Sequence, residues 1–135
     1  MKPEEASNIN ILTVDDDDFM LDVMSANLKK LGVTNIVTQT TATEALTYLK
    51  NAETPVDLLL CDLLMPDMDG IEFTTELSLV GFSGAVAIVS GAADTVIKSA
   101  ELLAKARGIK IVATLKKPVT KDDLENLLDK VFTSS

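Results

Sequence analysis

Asp15, Asp16, Asp17 and Asp18 stand together after a short apolar run, and Asp62 closes a second such run forty-seven residues beyond Asp15. Carboxylates crowded at one place repel one another, and they persist only with a shared proton, a cation or a basic partner. Two other polar groups sit at comparable points: Ser90 ends a third apolar segment, and Lys116-Lys117-Pro118 follows a fourth. Oxygen ligands of this kind suit a hard divalent cation, and Mg²⁺ in particular combines a few carboxylates with waters and phosphate oxygens. Beside such an ion, one carboxylate can attack a phosphoryl group and form an aspartyl phosphate. A fixed ammonium from Lys117 and a donated hydrogen bond from the Ser90 hydroxyl would stabilise the transferring group.

These groups meet only if particular elements carry them. Ile9 to Val14 and Val56 to Cys61 read as buried strands, being short apolar runs bounded by turn signals. Asn35–Gln39, Ala85–Val89 and Lys110–Leu115 supply three more strands. Between them fall helical patterns: Phe19–Leu31, with Met20, Val23, Met24, Asn27, Leu28 and Leu31 on one face and Gly32 as its stop; Thr43–Lys50, with Ala45, Leu46 and Leu49 inward; and Ile71 to about Leu79. A fourth runs from a cap at Asp94 to about Arg107, with Val96, Ala100, Leu103 and Leu102 inward. In the last, Thr120 and Asp123 resemble a capping box ahead of Leu124, Leu127, Leu128 and Val131. Met65-Pro66-Asp67-Met68-Asp69-Gly70 is turn chemistry, in which Gly70 is free to adopt positive φ. Five alternations of strand and helix imply an α/β fold with a parallel sheet and helices on both faces. Ligands of such sheets sit at the carboxyl ends of the strands, where every polar candidate lies.

Composition narrows the class. The 135 residues fit one domain, and 47% hydrophobic against 4% aromatic leaves the packing to aliphatic side chains. A net charge of −9 opposes general binding to nucleic acid or anionic membrane. No apolar stretch is long enough to span a bilayer, and residues 1–8 lack a signal-peptide core. One cysteine, Cys61, permits no internal disulfide and suits a reducing, cytoplasmic setting. The charge is uneven: residues 1–76 hold 15 acids and 4 bases, whereas residues 94–121 hold 2 acids and 7 bases. That basic stretch is ordinary helix surface or a dock for an acidic partner or neighbouring domain.

The ordered motifs VDDDDF (14–19), CDLLMPDMDG (61–70), IVSG (88–91) and LKKP (115–118) strongly resemble the receiver domain of two-component response regulators, from about Asn8 to Phe132. The resemblance implies a flavodoxin-like (βα)5 fold of strand order 2-1-3-4-5. It divides the chain into a flexible tail at 1–7, a receiver domain at 8–132 and a tail at 133–135. It makes Asp62 the phosphoacceptor, with Asp15, Asp16, Asp62 and the Leu64 backbone carbonyl holding Mg²⁺ or Mn²⁺. Ser90 becomes the switch hydroxyl, Lys117 the phosphate-contacting lysine, and the bond before Pro118 a cis peptide. The implied donor is a phosphohistidine on a sensor kinase or phosphotransfer protein, and the implied recipient of the signal an output domain or effector, docked through the 94–121 region. Direct nucleic-acid or membrane binding is not expected, nor any enzymatic activity beyond self-phosphorylation and autodephosphorylation.

Two departures stand out. The strand-5 position that usually carries a switching aromatic is Thr114, and the stretch from Ser90 to Lys117 is about one helical turn longer than in a typical receiver. The longer fourth helix looks like receivers fused to cyclic-di-GMP phosphodiesterase domains, although only three residues follow Phe132. Leu64 and Ala92, two residues beyond the phosphoacceptor and the switch hydroxyl, have no group to orient a water, which predicts slow autodephosphorylation.

Each feature also has a plainer explanation. Asp17 and Asp18 suit helix capping, Asp67 and Asp69 suit turns, Cys61 suits a small buried hydrophobe, and Lys116 competes with Lys117 for the same role. The alternative function is a haloacid-dehalogenase-type, Mg²⁺-dependent phosphatase with its nucleophile within Asp15-x-Asp17 and Asp62 peripheral.

Overall fold

The computed structural model describes residues 1–91 and 94–133. Five strands, β1 (Asn10–Val14), β2 (Asn35–Gln39), β3 (Leu58–Asp62), β4 (Ala85–Ser90) and β5 (Lys110–Lys116), form one sheet of order β2-β1-β3-β4-β5. All four pairings are parallel. The central strand β3 is buried along its whole length, as a strand covered on both faces must be, while the edge strand β2 is partly exposed.

Among the described residues six helices surround it: α1 (Pro3–Asn8), α2 (Asp18–Lys30), α3 (Ala42–Asn51), α4 (Gly70–Leu79), α5 (Asp94–Ala106) and α6 (Lys121–Thr133). Strand side chains alternate between two cores. Ile11, Leu58, Leu60, Ala85, Ala87 and Val89 meet α2 and α6 through Leu21, Met24, Leu28, Leu124, Leu127 and Leu128. Leu12, Val14, Leu59, Cys61 and Val86 meet α3, α4 and α5 through Ala42, Ala45, Phe73, Leu77 and Ala104. Helices therefore cover both faces, and the period-2 alternation of the strands sorts the two cores.

The register sets the functional edge. Val14 pairs with Cys61, Asp62 with Val89, and Ser90 with Lys116, so the carboxyl ends of four strands finish side by side. Between β4 and β5 the register slips by one: Val86 faces Ile111, but Ala87 faces Ala113. Because side chains alternate, one extra residue reverses the facing of everything after it. That slip sets which face the residues leading to Lys117 present.

Several local expectations need correction. Residues 1–7 are not a tail: Pro3–Asn8 is helical, with Pro at its start and Ala6 fully buried in the α2/α6 core. Polarity at Lys2, Glu4 and Glu5 hides the single small residue that anchors the turn. At the other end α6 continues through Thr133. Gly70 has no positive φ; it opens α4, and a Cβ there would come within 2.7 Å of Leu63 Cδ2. Gly32 does adopt φ +98, closing α2 with amide bonds from Gly32 to Lys29 and from Val33 to Leu28. On α5 the buried residues are Ile97, Ala100 and Ala104, whereas Val96 and Leu102 are exposed. Seven of the thirteen residues of that helix are apolar, and small alanines at 100 and 104 let it approach its neighbours closely. The cap assigned to Asp94 and the hydrolysis-related Ala92 lie outside the described residues and side chains.

Candidate functional site

Asp15 follows the last residue of β1 and continues its ladder, its amide donating to the Gln39 carbonyl at 3.2 Å. Its side chain is fully buried. Oδ1 accepts from the Asp17 amide at 2.9 Å, and Oδ2 lies 2.9 Å from Lys117 Nζ. Asp62, the last residue of β3, is 6% exposed; its Oδ1 accepts from the Leu64 amide at 2.9 Å and its Oδ2 from Lys117 Nζ at 2.8 Å. One ammonium thus bridges two buried carboxylates from neighbouring strands. Asp16, adjoining them, is exposed.

Burial on its own would push the Lys117 ammonium toward losing its proton. Hydrogen bonds to Asp62 and Asp15, with their charges, override that and hold its pKa above the ordinary value. Lys117, not Lys116, therefore occupies the pocket. Its backbone amide also donates to the Ser90 carbonyl at 3.2 Å, joining the ends of β4 and β5. Ser90 is fully buried and engaged with a partner. The Lys117–Pro118 peptide is cis.

Asp15, Asp16 and Asp62 offer oxygens that all lie within 4.8 Å of one another. Three carboxylates against one ammonium leave two negative charges in the pocket. Asp15 Oδ2 is buried, and beyond its ion pair it accepts no well-directed hydrogen bond. An all-oxygen donor set with a surplus of negative charge, an undersatisfied buried oxygen and one exposed carboxylate for entry fits a hard divalent cation such as Mg²⁺ or Mn²⁺.

Asp17, Asp69 and Asp123 are engaged in capping. Asp17 caps α2, its Oδ1 accepting from the Phe19 and Met20 amides at 3.0 and 3.4 Å. That leaves no support for a phosphatase nucleophile in Asp15-x-Asp17, since Asp17 faces solvent and Asp62 is central. Asp69 caps α4 by accepting from the Glu72 amide at 2.7 Å, and Thr120 and Asp123 form the reciprocal capping box on α6. Thr114 on β5 donates to Glu101 Oε1 of α5 at 2.8 Å, so a polar tie stands at the strand-5 position. Burial raises the Cys61 thiol to about 12, making it a packed and inert group.

One contact escapes sequence reasoning. Asp67, in the loop after β3, accepts from the Ala42 amide at 3.2 Å, the Thr43 amide at 3.0 Å and the Thr43 hydroxyl at 2.8 Å. These bonds, the Thr43 amide foremost, hold its carboxyl below the ordinary carboxylate range. No local signal marks this contact, because the partners lie 24 and 25 residues upstream.

Among the described residues no helix is long and apolar enough to cross a membrane. Residues 11–129 match the family model described as the response regulator receiver domain. The cyclic di-GMP phosphodiesterase RocR of Pseudomonas aeruginosa is 29% identical over 123 residues, covering 90% of this chain and 31% of that protein. The transcriptional regulatory protein ZraR of Escherichia coli is 32% identical over 125 residues, covering 93% of this chain and 26% of that one. The chain thus spans under a third of the length of these curated relatives. A receiver domain structure from Clostridium thermocellum superimposes with a TM-score of 0.77 at 25% identity, covering 93% of this chain and 95% of its own.

Proposed function

The chain belongs to the response regulator receiver domain family, and on that premise we propose that Asp62 takes a phosphoryl group from a phosphohistidine with Mg²⁺ held by Asp15, Asp16, Asp62 and the Leu64 carbonyl. The observation that carries this is the Lys117 ammonium, within 2.9 Å of both Asp15 and Asp62 at the sheet's carboxyl edge. An Asp62 oxygen bonds to phosphorus as the P–N bond of the donor breaks, its electron pair returning to the imidazole nitrogen. A divalent cation held by those residues would supply charge neutralisation for the transferring group. Lys117 exchanges its contact with Asp62 for the new phosphoryl oxygens, and the Ser90 hydroxyl donates to another, drawing in the end of β4.

The chain acts here as a switch, with no turnover beyond gaining and losing its own phosphoryl group. Its donor is a sensor histidine kinase or phosphotransfer protein of the cytoplasm, where a buried free thiol such as Cys61 stays reduced. Its output contact is the α5–β5 face, where exposed Lys98 and Lys105 flank the apolar Val96 and Leu102. The similarity to RocR over the receiver region supports an output of the cyclic di-GMP phosphodiesterase kind, covalent or bound. The side chain of Leu64, 62% exposed and without a polar group, supports a long-lived phosphorylated state.

Incubation with acetyl phosphate and Mg²⁺, followed by intact mass and peptide mapping, tests the reading. Wild type should gain one phosphoryl group on the peptide containing Asp62, and Asp62→Asn should gain none. Phosphorylation of Asp62→Asn at the wild-type rate, or multiple turnover on phosphomonoesters, would refute it.

A further inference from the structure

The cation pocket takes its last proposed ligand, the Leu64 carbonyl, from a loop, and loops need tethers if they are to hold a ligand at fixed geometry. The 63–69 loop has three apart from Asp67. The Leu64 amide donates to Asp62, Met65 is buried in the α3/α4 core, and Leu64 and Asp69 form an antiparallel bridge. The fourth is a set of hydrogen bonds to the start of α3. Both carboxylate oxygens of Asp67 engage the first two residues of α3, Ala42 and Thr43. That helix does not need Asp67 for its basic cap, because the Thr41 hydroxyl already accepts from the Glu44 amide at 3.1 Å. Ala42 and Ala45 seat α3 in the core with Leu12 and Val14 of β1, the strand that leads into Asp15. Asp67 therefore joins the loop after one acidic ligand to the helix packed against the strand before the other two.

We infer that Asp67 is a positioning residue for the cation pocket: through Ala42 and Thr43 it fixes the 63–69 loop relative to Asp15 and Asp16, and its loss weakens divalent-cation binding although it is not itself a ligand. The inference rests on the cation-dependent receiver function proposed above.

Mn²⁺ binding by electron paramagnetic resonance, without any phosphodonor, is the direct measure. It is compared with metal-free thermal stability and hydrogen exchange across residues 42–43 and 63–69. Asp67→Ala should weaken Mn²⁺ binding about tenfold, as loss of a ligand-orienting partner does, and speed exchange in both segments. Thr43→Val, which keeps the charge and removes one bond, should weaken binding to a smaller extent. Asp67→Asn, which removes the charge and keeps an acceptor, should fall between wild type and Asp67→Ala. Asp67→Ala combined with Thr43→Val should bind no worse than Asp67→Ala alone.

Lower thermal stability with unchanged Mn²⁺ affinity would reduce Asp67 to a helix cap and overturn the inference. Equal losses in Asp67→Asn and Asp67→Ala with none in Thr43→Val would overturn it too, by making long-range charge the whole effect. Failure of wild type to bind Mn²⁺ would instead strike the cation pocket itself, a distinct result.

Discussion

Replacing Lys117 by alanine should move stability and cation affinity in opposite directions, because the ammonium and a divalent ion serve the same carboxylates. Lys117 Nζ lies 2.9 Å from Asp15 and 2.8 Å from Asp62, carboxylates that are 0% and 6% exposed. At an effective dielectric constant of about 20, each contact has a gross Coulomb attraction of roughly 6 kcal/mol. Desolvation of the three groups offsets most of that sum, and breaking a buried pair typically costs 3–5 kcal/mol. The Lys117 side chain is 26% exposed, which places the expected loss at the lower end, about 3 kcal/mol in chelator. Removing the competing positive charge should tighten Mn²⁺ binding by about tenfold or more. Mn²⁺ at a hundred times its dissociation constant then restores about 2.7 kcal/mol, most of the deficit.

Urea unfolding followed by circular dichroism, with chelator and with Mn²⁺, gives the stability terms, and paramagnetic resonance gives the affinity. Phosphoryl uptake should nevertheless fall sharply, since the charge that receives the phosphoryl oxygens is gone. A Lys117→Ala protein of unchanged metal-free stability, or one that binds Mn²⁺ no better than wild type, would refute the shared-carboxylate argument.

Thr114→Val keeps the shape of the strand-5 side chain and removes its bond to Glu101, so it should cost about 1 kcal/mol in urea unfolding. An unchanged midpoint would mean the bond contributes nothing net. Cys61, with its thiol raised to about 12, should resist Ellman's reagent at pH 8 until the chain unfolds. Reaction at the rate of a free thiol would contradict the packing. Asp67 has a folded pKa below its ordinary 3.8, so its tether contributes stability above that value and loses it as pH falls through the folded one. A carboxyl-carbon NMR titration, with the Thr43 amide shift following it, reads this directly; a midpoint at or above 3.8 would remove the tether.

What could be read in advance was whatever depends on short periods and strand ends. An acid immediately after an apolar run is placed at the sheet's carboxyl edge by the strand itself, and Asp15, Asp62 and Ser90 lie there. What could not be read depends on partners distant in sequence. Asp67 looks like any turn aspartate until α3 is set beside it. Ala6 has no apolar periodicity around it, so α1 becomes visible only through the core it enters. The α5 face was legible only in part, Ala100 being buried as expected: hydrophobicity ranks Val96 and Leu102 above Ala104, but close packing favours small residues where a helix lies near its neighbours.

The slip between β4 and β5 shows how such a detail reaches the chemistry. In unbroken register Ser90 would face Leu115; one extra residue makes it face Lys116 and brings the Lys117 amide to the Ser90 carbonyl. Val112 is that extra residue, and deleting it should cost no more than a lost half-buried side chain and a straightened strand. The deletion would make the pairing continuous while leaving Ala113 with Ala87 and Lys116 with Ser90, so the later residues keep their faces and the ammonium stays beside Asp15 and Asp62. A deletion variant that folds and still shows stronger Mn²⁺ binding when its lysine is also replaced would fit that geometry. One that loses the response to the lysine replacement would show that the bulge itself, not the pairing beyond it, sets where the ammonium lies.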